Sequence, residues 1–243
     1  MNIFFEIHTN LTRESPGGED YTRQALELLP TLEHPTILDI GCGPGSQTLT
    51  LAQSTDGYIT AVDNHEPFLV ELRSKAKTQG YKQRIHCVNQ SMDSLSFPPQ
   101  SFDLIWSEGA VYIMGFEQGL KNWRSFLKPQ GYLVVSELVW LRANPPAEVA
   151  QFWGVNYPGM KAGDELLAEI PQWGYQVLAS FVLPEVAWWN YYHPLEARLA
   201  DLSQVYAQDE EALQIIAQEA QEIEMYHQYK NWYGYQFFVL QKV

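Results

Sequence analysis

An α/β sandwich, a mostly parallel β-sheet covered by helices, is the fold class that the sequence predicts. Three observations lead there. Over the first 140 residues, short β-like apolar runs alternate with longer stretches of helical periodicity, as successive strand and helix units require. Each run is short and bounded by Gly, Pro, Asn or Asp. One run, 36–40, leads directly into a glycine-rich turn and then a helix. At 243 residues, the chain is one large domain or one domain with a subdomain on a prior of roughly 150 residues each, and we read 1–243 as one domain. An apolar share of 46% with 18% charged residues is an ordinary globular mix, which sets aside disorder and coiled coils.

A helix is expected over 19–29, after the Pro16-Gly17-Gly18 turn and ended by Pro30. The run 36–40 is the first strand and 58–62 the second. Residues 67–79 form the next helix, with Pro67 in its first turn, Lys75 and Lys77 near its end, and Gly80 as its stop. Strands follow at 85–89 and 102–107. Phe116, Leu120, Trp123 and Leu127 make one buried helical stripe that Pro129 terminates, before a fifth strand at 132–138. After Leu141 the pattern changes. Pro145-Pro146 opens a helix to about Trp153, another is expected over 164–170, and 175–183 reads as a sixth strand. Residues 194–206 and 210–228 are helical, and 235–240 is rich enough in aromatic and β-branched residues for a last strand.

Charge and composition exclude several functions. The net charge of −14 repels a phosphate polymer and forfeits the counterion release that drives nucleic-acid affinity, so nucleic acid is not an expected partner. No apolar run approaches the ~20 residues of a membrane span, since the longest, 131–141, is broken by Ser136 and Glu137. Residues 1–10 lack a basic n-region and include Glu6 and His8, unlike a secretory signal. The two cysteines, Cys42 and Cys87, are too few for a disulfide scaffold or a structural zinc site, and no histidine spacing suggests a metal. A cytoplasmic setting is therefore expected.

The richest stretch is Leu38-Asp39-Ile40-Gly41-Cys42-Gly43-Pro44-Gly45-Ser46. Glycines at 41, 43 and 45 let the backbone turn tightly and approach a ligand, while the following helix offers unpaired N–H groups. Asp63, at the far end of the next strand, can accept bonds from two ribose hydroxyls. Together these features describe a nucleoside cofactor. The dinucleotide pattern G-x-G-x-x-G wants a small residue at 46, where Ser46 fits poorly; G-x-G-x-G is satisfied outright.

Here the chain resembles class I S-adenosylmethionine-dependent methyltransferases, whose first motif reads like 38–45. The likeness extends through Ala61-Val62-Asp63-Asn64, Ser91-Met92-Asp93, Phe97-Pro98, Ser101-Phe102-Asp103 and Leu127-Lys128-Pro129-Gln130-Gly131, so it covers about 35–138. Phe237-Phe238-Val239-Leu240 is placed as the family's reversed last strand. The nearest branch is the small-molecule, quinone-methylase-like one, where Trp106-Ser107-Glu108-Gly109-Ala110 is similar to uncharacterised bacterial members. The resemblance implies a Rossmann-like, seven-stranded, mostly parallel sheet with an antiparallel last strand and helical lid insertions. It implies S-adenosyl-L-methionine as cofactor, with S-adenosyl-L-homocysteine as product.

In that frame 35–138 is the cofactor-binding core, 1–30 a segment covering the cofactor, 139–173 and 184–232 lid or substrate insertions, and 174–183 and 235–242 the final strands. Asp39, Gly41, Gly43, Gly45, Asp63, Asn64, Ser91, Met92, Asp93 and Ser107 surround the cofactor, Asp93 accepting from the adenine amino group. Arg13 is expected to pair with a carboxylate of cofactor or substrate.

Methyl transfer by in-line displacement needs positioning and exclusion of water more than covalent machinery. Glu108, at a strand's carboxyl end, and His193, in an aromatic segment before a helix, are the candidate proton acceptors. Tyr112, Glu137, Trp140, Trp188 and Tyr192 are expected to line a substrate pocket. Trp153, Tyr157, Trp173, Trp189 and Tyr191 add to an aromatic load that forms either the lid's own core or a wall for a planar, apolar or cationic substrate. A small-molecule substrate follows, since a hydrolase elbow, a phosphate-binding loop and an Asn/Asp-Pro-Pro-Tyr motif are all missing from the sequence. A homodimer is compatible with this reading. A nicotinamide-dependent oxidoreductase and a non-catalytic S-adenosylmethionine-binding module are the alternatives.

Overall fold

The computed structural model describes residues 3–9 and 11–243. In chain order the elements are α1 (Ile3–Ile7), α2 (Glu19–Glu27), β1 (Thr36–Ile40), α3 (Ser46–Ser54), β2 (Tyr58–Asp63), α4 (Glu66–Thr78), β3 (Ile85–Asn89), β4 (Phe102–Ser107), α5 (Phe116–Trp123) and β5 (Leu127–Trp140). There follow α6 (Ala147–Asn156), α7 (Gly163–Glu169), β6 (Tyr175–Val182), α8 (Glu185–Val205), α9 (Glu210–Tyr229) and β7 (Tyr233–Lys242). The strands form one seven-stranded sheet in the order β3-β2-β1-β4-β5-β7-β6. β1 to β5 run parallel, and β7 is antiparallel to β5 and β6 on either side.

The strands are apolar for a physical reason. β1 and β4 are buried on both faces, so their sequences are continuous hydrophobic runs instead of alternating ones. Neighbouring residues serve opposite faces: Ile37, Val134 and Phe237 join one core, while Leu38, Val135 and Phe238 join the other. The direction of progress reverses between β1 and β4, and this switch point opens a crevice at the carboxyl ends of the strands.

Four expectations change. β5 is twice its expected length, because the parallel pairing with β4 already starts at Leu127↔Phe102 and the antiparallel pairing with β7 persists to Trp140↔Tyr233. The stripe helix therefore stops at Trp123, a 3₁₀ turn covers 124–126, and Leu127 belongs to the sheet. α8 begins at Glu185, not at Pro194, which sits inside it; Trp188, Tyr191, Tyr192 and Leu195 bury one face of that helix, and this packing outweighs the hydrogen bond lost at the proline. α1 was not anticipated. It docks through the fully buried Ile7, and Arg198 of α8 holds it by donating to the Glu6 carbonyl.

Candidate functional site

The chain leaves β1 and turns at once, with Gly41 and Cys42 both donating to the Val62 carbonyl of β2. Gly41 adopts φ +72°, and a Cβ there would lie 2.4 Å from Ala110 Cβ. Gly45 adopts φ +92°, and its Cβ would lie 2.2 Å from Leu72 Cδ1, so side chains are excluded at both corners. Between them Gly43 faces open space, the nearest atom being Glu14 Cγ at 3.6 Å. α3 begins immediately afterwards without any side-chain cap.

Two acids frame this turn from opposite sides. Asp63 ends β2; its Oδ2 accepts from Gly43 N and its Oδ1 from His65 N, both at 2.9 Å, and it faces the crevice. Asp39 lies behind the turn, fully buried, accepting from Thr48 Oγ1 at 2.5 Å and Gln47 Nε2 at 3.4 Å. Burial pushes its carboxyl up to about 7, and the charges of Glu108 and Asp63 add to the rise against the Thr48 and Gln47 hydrogen bonds.

The crevice widens into a cavity of about 480 Å³. One end is formed by Gly41, Gly43, Asp63, Asn64, Ser91 and Met92. α1 covers this end: Phe5 stacks on His65 with centroids 4.2 Å apart, and His65 meets Phe68 edge-on at 4.6 Å. The rest of the lining is aromatic and acidic, with Tyr112, Trp153, Tyr157, Trp188, Tyr191 and Tyr235 beside Glu219 and Glu222, and with Glu14 reaching to the glycine turn at Gly43. Trp188 is braced from behind by a stacked Tyr226 at 4.0 Å. Trp153 of α6 and Trp188 and Tyr191 of α8 therefore belong to the hydrophobic core and to the cavity wall at once.

Glu108 lies on this wall yet is spent on structure. Its Oε1 accepts from Thr22 Oγ1 at 2.7 Å and Trp106 Nε1 at 2.8 Å, and its Oε2 faces Arg13 Nη2 at 3.2 Å. Arg13 also donates to the Ser15 carbonyl at 2.8 Å and Ser46 Oγ at 3.4 Å. The network ties the N-terminal segment to β4 and α3. A carboxylate held by three donors is poorly placed to take a proton, and Arg13 already has a protein carboxylate as its partner.

Further candidates fall off the cavity wall. His193 stacks on Trp189 at 5.2 Å on another side of α8, because the helix already includes it. Trp140 ends β5, its backbone N–H donating to the Lys161 carbonyl, and its side chain is not part of the cavity lining. Tyr192 reaches the site only through its hydroxyl, which donates to Glu222 Oε1 at 2.9 Å. Glu137 sits behind Tyr157, accepting from Leu138 N at 2.9 Å, and burial pushes it up to about 8. Ser107 donates to the Ile40 carbonyl at 2.9 Å, joining β4 to β1. Gly45 and Asp93 are likewise absent from the lining, which on that side consists of Gln90, Ser91 and Met92.

His8, Glu14, Glu219 and Glu222 escaped the sequence reading. One signal was present: on α9, Ile216, Ile223 and Tyr226 form the buried face, and the helical period sets Glu219 in the middle of that stripe. An acid on an apolar stripe needs a partner or a pocket.

A glycine turn at the switch point, an acid at the end of the second strand and a cavity beyond them are the features of an enzyme that uses a nucleoside cofactor. Residues 37–131 match the family model described as a methyltransferase domain. The O-methyltransferase rstn1 of Aspergillus nomiae is 31% identical over 165 residues, which are 66% of this chain and 72% of that protein. The chain thus belongs to the class I S-adenosylmethionine-dependent methyltransferases. It spans less of other relatives, such as 45% of the methyltransferase GfsG of Streptomyces halstedii, which is 26% identical over 51% of this chain. A crystal structure of a methyltransferase from Geobacter sulfurreducens in complex with S-adenosyl-L-homocysteine superposes with a TM-score of 0.87, at 21% identity, covering 100% of this chain and 98% of that one. The seven-stranded fold is that of the family.

Proposed function

We propose that the protein transfers the methyl group of S-adenosylmethionine to a small-molecule acceptor. One observation carries this reading: the Gly41–Gly43 turn and Asp63 open into the same cavity as the aromatic chamber, so that two ligands can meet there. The residues fit the cofactor. Gly43 leaves room where a side chain would intrude, and Asp63 keeps lone pairs free for ribose hydroxyls, since only two backbone donors engage it. Asn64, Ser91 and Met92 complete the surroundings of the nucleoside. When bound, the cofactor supplies an electrophilic methyl on a sulfonium.

The protein's own part is then positioning. Asp39 stiffens the turn from behind, α1 closes over the nucleoside, and the chamber holds the acceptor in line with the methyl. A cavity of this size suits a small molecule. The quinone-methylase-like branch remains part of this proposal.

Calorimetry tests the reading. S-adenosylmethionine and its demethylated product are expected to bind and NAD not to bind. Asp63→Asn should weaken S-adenosylmethionine by about 10- to 150-fold, the value of a charge-assisted hydrogen bond. Binding of NAD in preference, or an Asp63→Asn variant with unchanged affinity, would refute it. Binding without transfer to any of a broad panel of amines, phenols and thiols would favour a non-catalytic module.

A further inference from the structure

Next to the glycine turn, the cavity wall brings together groups from separate elements. His8, in the turn just after α1, places Nδ1 2.8 Å from Glu14 Oε2 and Nε2 3.9 Å from Glu219 Oε2. The imidazole is nine-tenths buried, its Nε2 is itself buried and has no hydrogen-bond partner among the described residues, and the residue contributes to the cavity lining. Glu222 stands one turn along α9 from Glu219. Arg13, paired with Glu108, is the only Lys or Arg on the wall among the described residues. The chamber thus concentrates three carboxyl groups and one histidine among aromatic rings, with no free basic side chain to balance them.

We propose that the methyl acceptor is an amine, held as its ammonium ion by Glu219 and Glu222, and that His8 Nε2 removes the proton that frees its lone pair. The proposal rests on the methyl-transfer reading. Buried carboxylates are costly without a counter-charge, and an ammonium ion supplies one. Trp188, Trp153 and Tyr191 add ring faces that attract a cation. A phenol or an acid fares badly in the same place, because neighbouring carboxylates oppose any second anion. The same carboxylates act on the chamber's partly exposed Tyr112, whose hydroxyl is held above its ordinary pKa by desolvation first and then by Glu222, Glu219, Glu137 and Glu14.

Charge and electrons balance in the step. The ammonium gives one proton to neutral His8. The freed nitrogen pair forms the N–C bond to the methyl carbon as the C–S bond breaks, its pair staying on sulfur, which becomes a neutral thioether. The nitrogen then carries the positive charge, or sheds a further proton to solvent. Burial lowers the affinity of His8 for a proton, but the contact with Glu14 and the charges of Glu14, Glu219 and Glu222 outweigh it, so its pKa is raised. Glu14 faces it from the segment before α2, Glu219 and Glu222 from α9, and Tyr112 and Tyr191 share the wall. Its neutral form, the base, therefore grows in as pH rises through that raised value.

The test uses the full chain with S-adenosylhomocysteine bound, and phenethylamine, 3-phenylpropionate and 4-ethylphenol as probes of matched shape. Calorimetry should show phenethylamine binding at least about tenfold more tightly than the other two. Glu219→Gln and Glu222→Gln should each erase that preference while S-adenosylmethionine affinity stays within about twofold. With labelled S-adenosylmethionine, His8→Gln should slow transfer to the amine at least about tenfold with little change in its binding. Glu14→Gln should move the rising limb of the rate to lower pH. Equal or tighter binding of the carboxylate or phenol, failure of the amine to bind at millimolar concentration, or Gln variants that keep the preference would overturn the proposal. Because S-adenosylmethionine affinity is measured alongside, such a failure stays distinct from a failure of the methyl-transfer reading.

Discussion

Replacing Glu108 by Gln separates structure from chemistry at the site. Residues Arg13 and Glu108 are only 6% and 4% exposed, so their pairing belongs with buried ion pairs and not with surface ones worth about 0–1 kcal/mol. The amide keeps an oxygen for the Thr22 hydroxyl and the Trp106 N–H but turns a donor, or a neutral atom, toward Arg13. Leaving one buried charge uncompensated costs about 3–5 kcal/mol. For a chain of this size each kcal/mol moves Tm by about 2–4 °C, giving a fall of about 6–20 °C by thermal unfolding. Arg13→Met combined with Glu108→Gln removes the orphaned charge and should recover about half of the loss. The reasoning fails if Glu108→Gln melts within about 2 °C of the parent yet loses turnover with cofactor binding intact, for Glu108 would then act in the chemistry.

Gly45→Ala combines a left-handed backbone, about 1–2 kcal/mol, with overpacking against Leu72, about 1–3 kcal/mol. Denaturant unfolding should register their sum, and a loss below about 1 kcal/mol would contradict the geometry of the turn. Phe5→Ala removes the stack on His65 and should raise the cofactor Kd by about 2- to 12-fold in calorimetry; an unchanged Kd would mean that α1 does not cover the cofactor. Glu137 is raised from 4.5 to about 8, so the folded state binds a proton that the unfolded state releases, and stability drains away as pH rises between those values. Glu137→Gln should therefore gain on the parent across pH 5–8 in parallel unfolding curves. A pH-independent difference would show that Glu137 is ionised in the fold.

The order of β1 to β5, the glycine turn and Asp63 were legible in the sequence because each depends on neighbours in the chain. Parallel strands buried on both faces must be apolar throughout, and a turn that excludes Cβ atoms must be glycine. Glu108 and Arg13 were visible as candidates, but their contact with each other was not. Their pairing joins residues 95 positions apart, and no local pattern distinguishes a carboxylate aimed at substrate from one held by a distant arginine.

Local sequence also misplaced His193. Pro194 reads as a helix start, whereas packing of Trp188, Tyr191 and Tyr192 carries the helix through it and turns the histidine away from the cavity. The chamber itself belongs wholly to tertiary structure. His8, Glu14, Glu219 and Glu222 come from both ends of the chain, and only the docking of α1 and α9 over the sheet makes them neighbours. The sequence by itself determined the sheet, the turn and the cofactor class, since covalent neighbours settle those. Which charges face one another across the cavity was decided by the fold, because side-chain burial and pairing depend on distances that chain order does not encode.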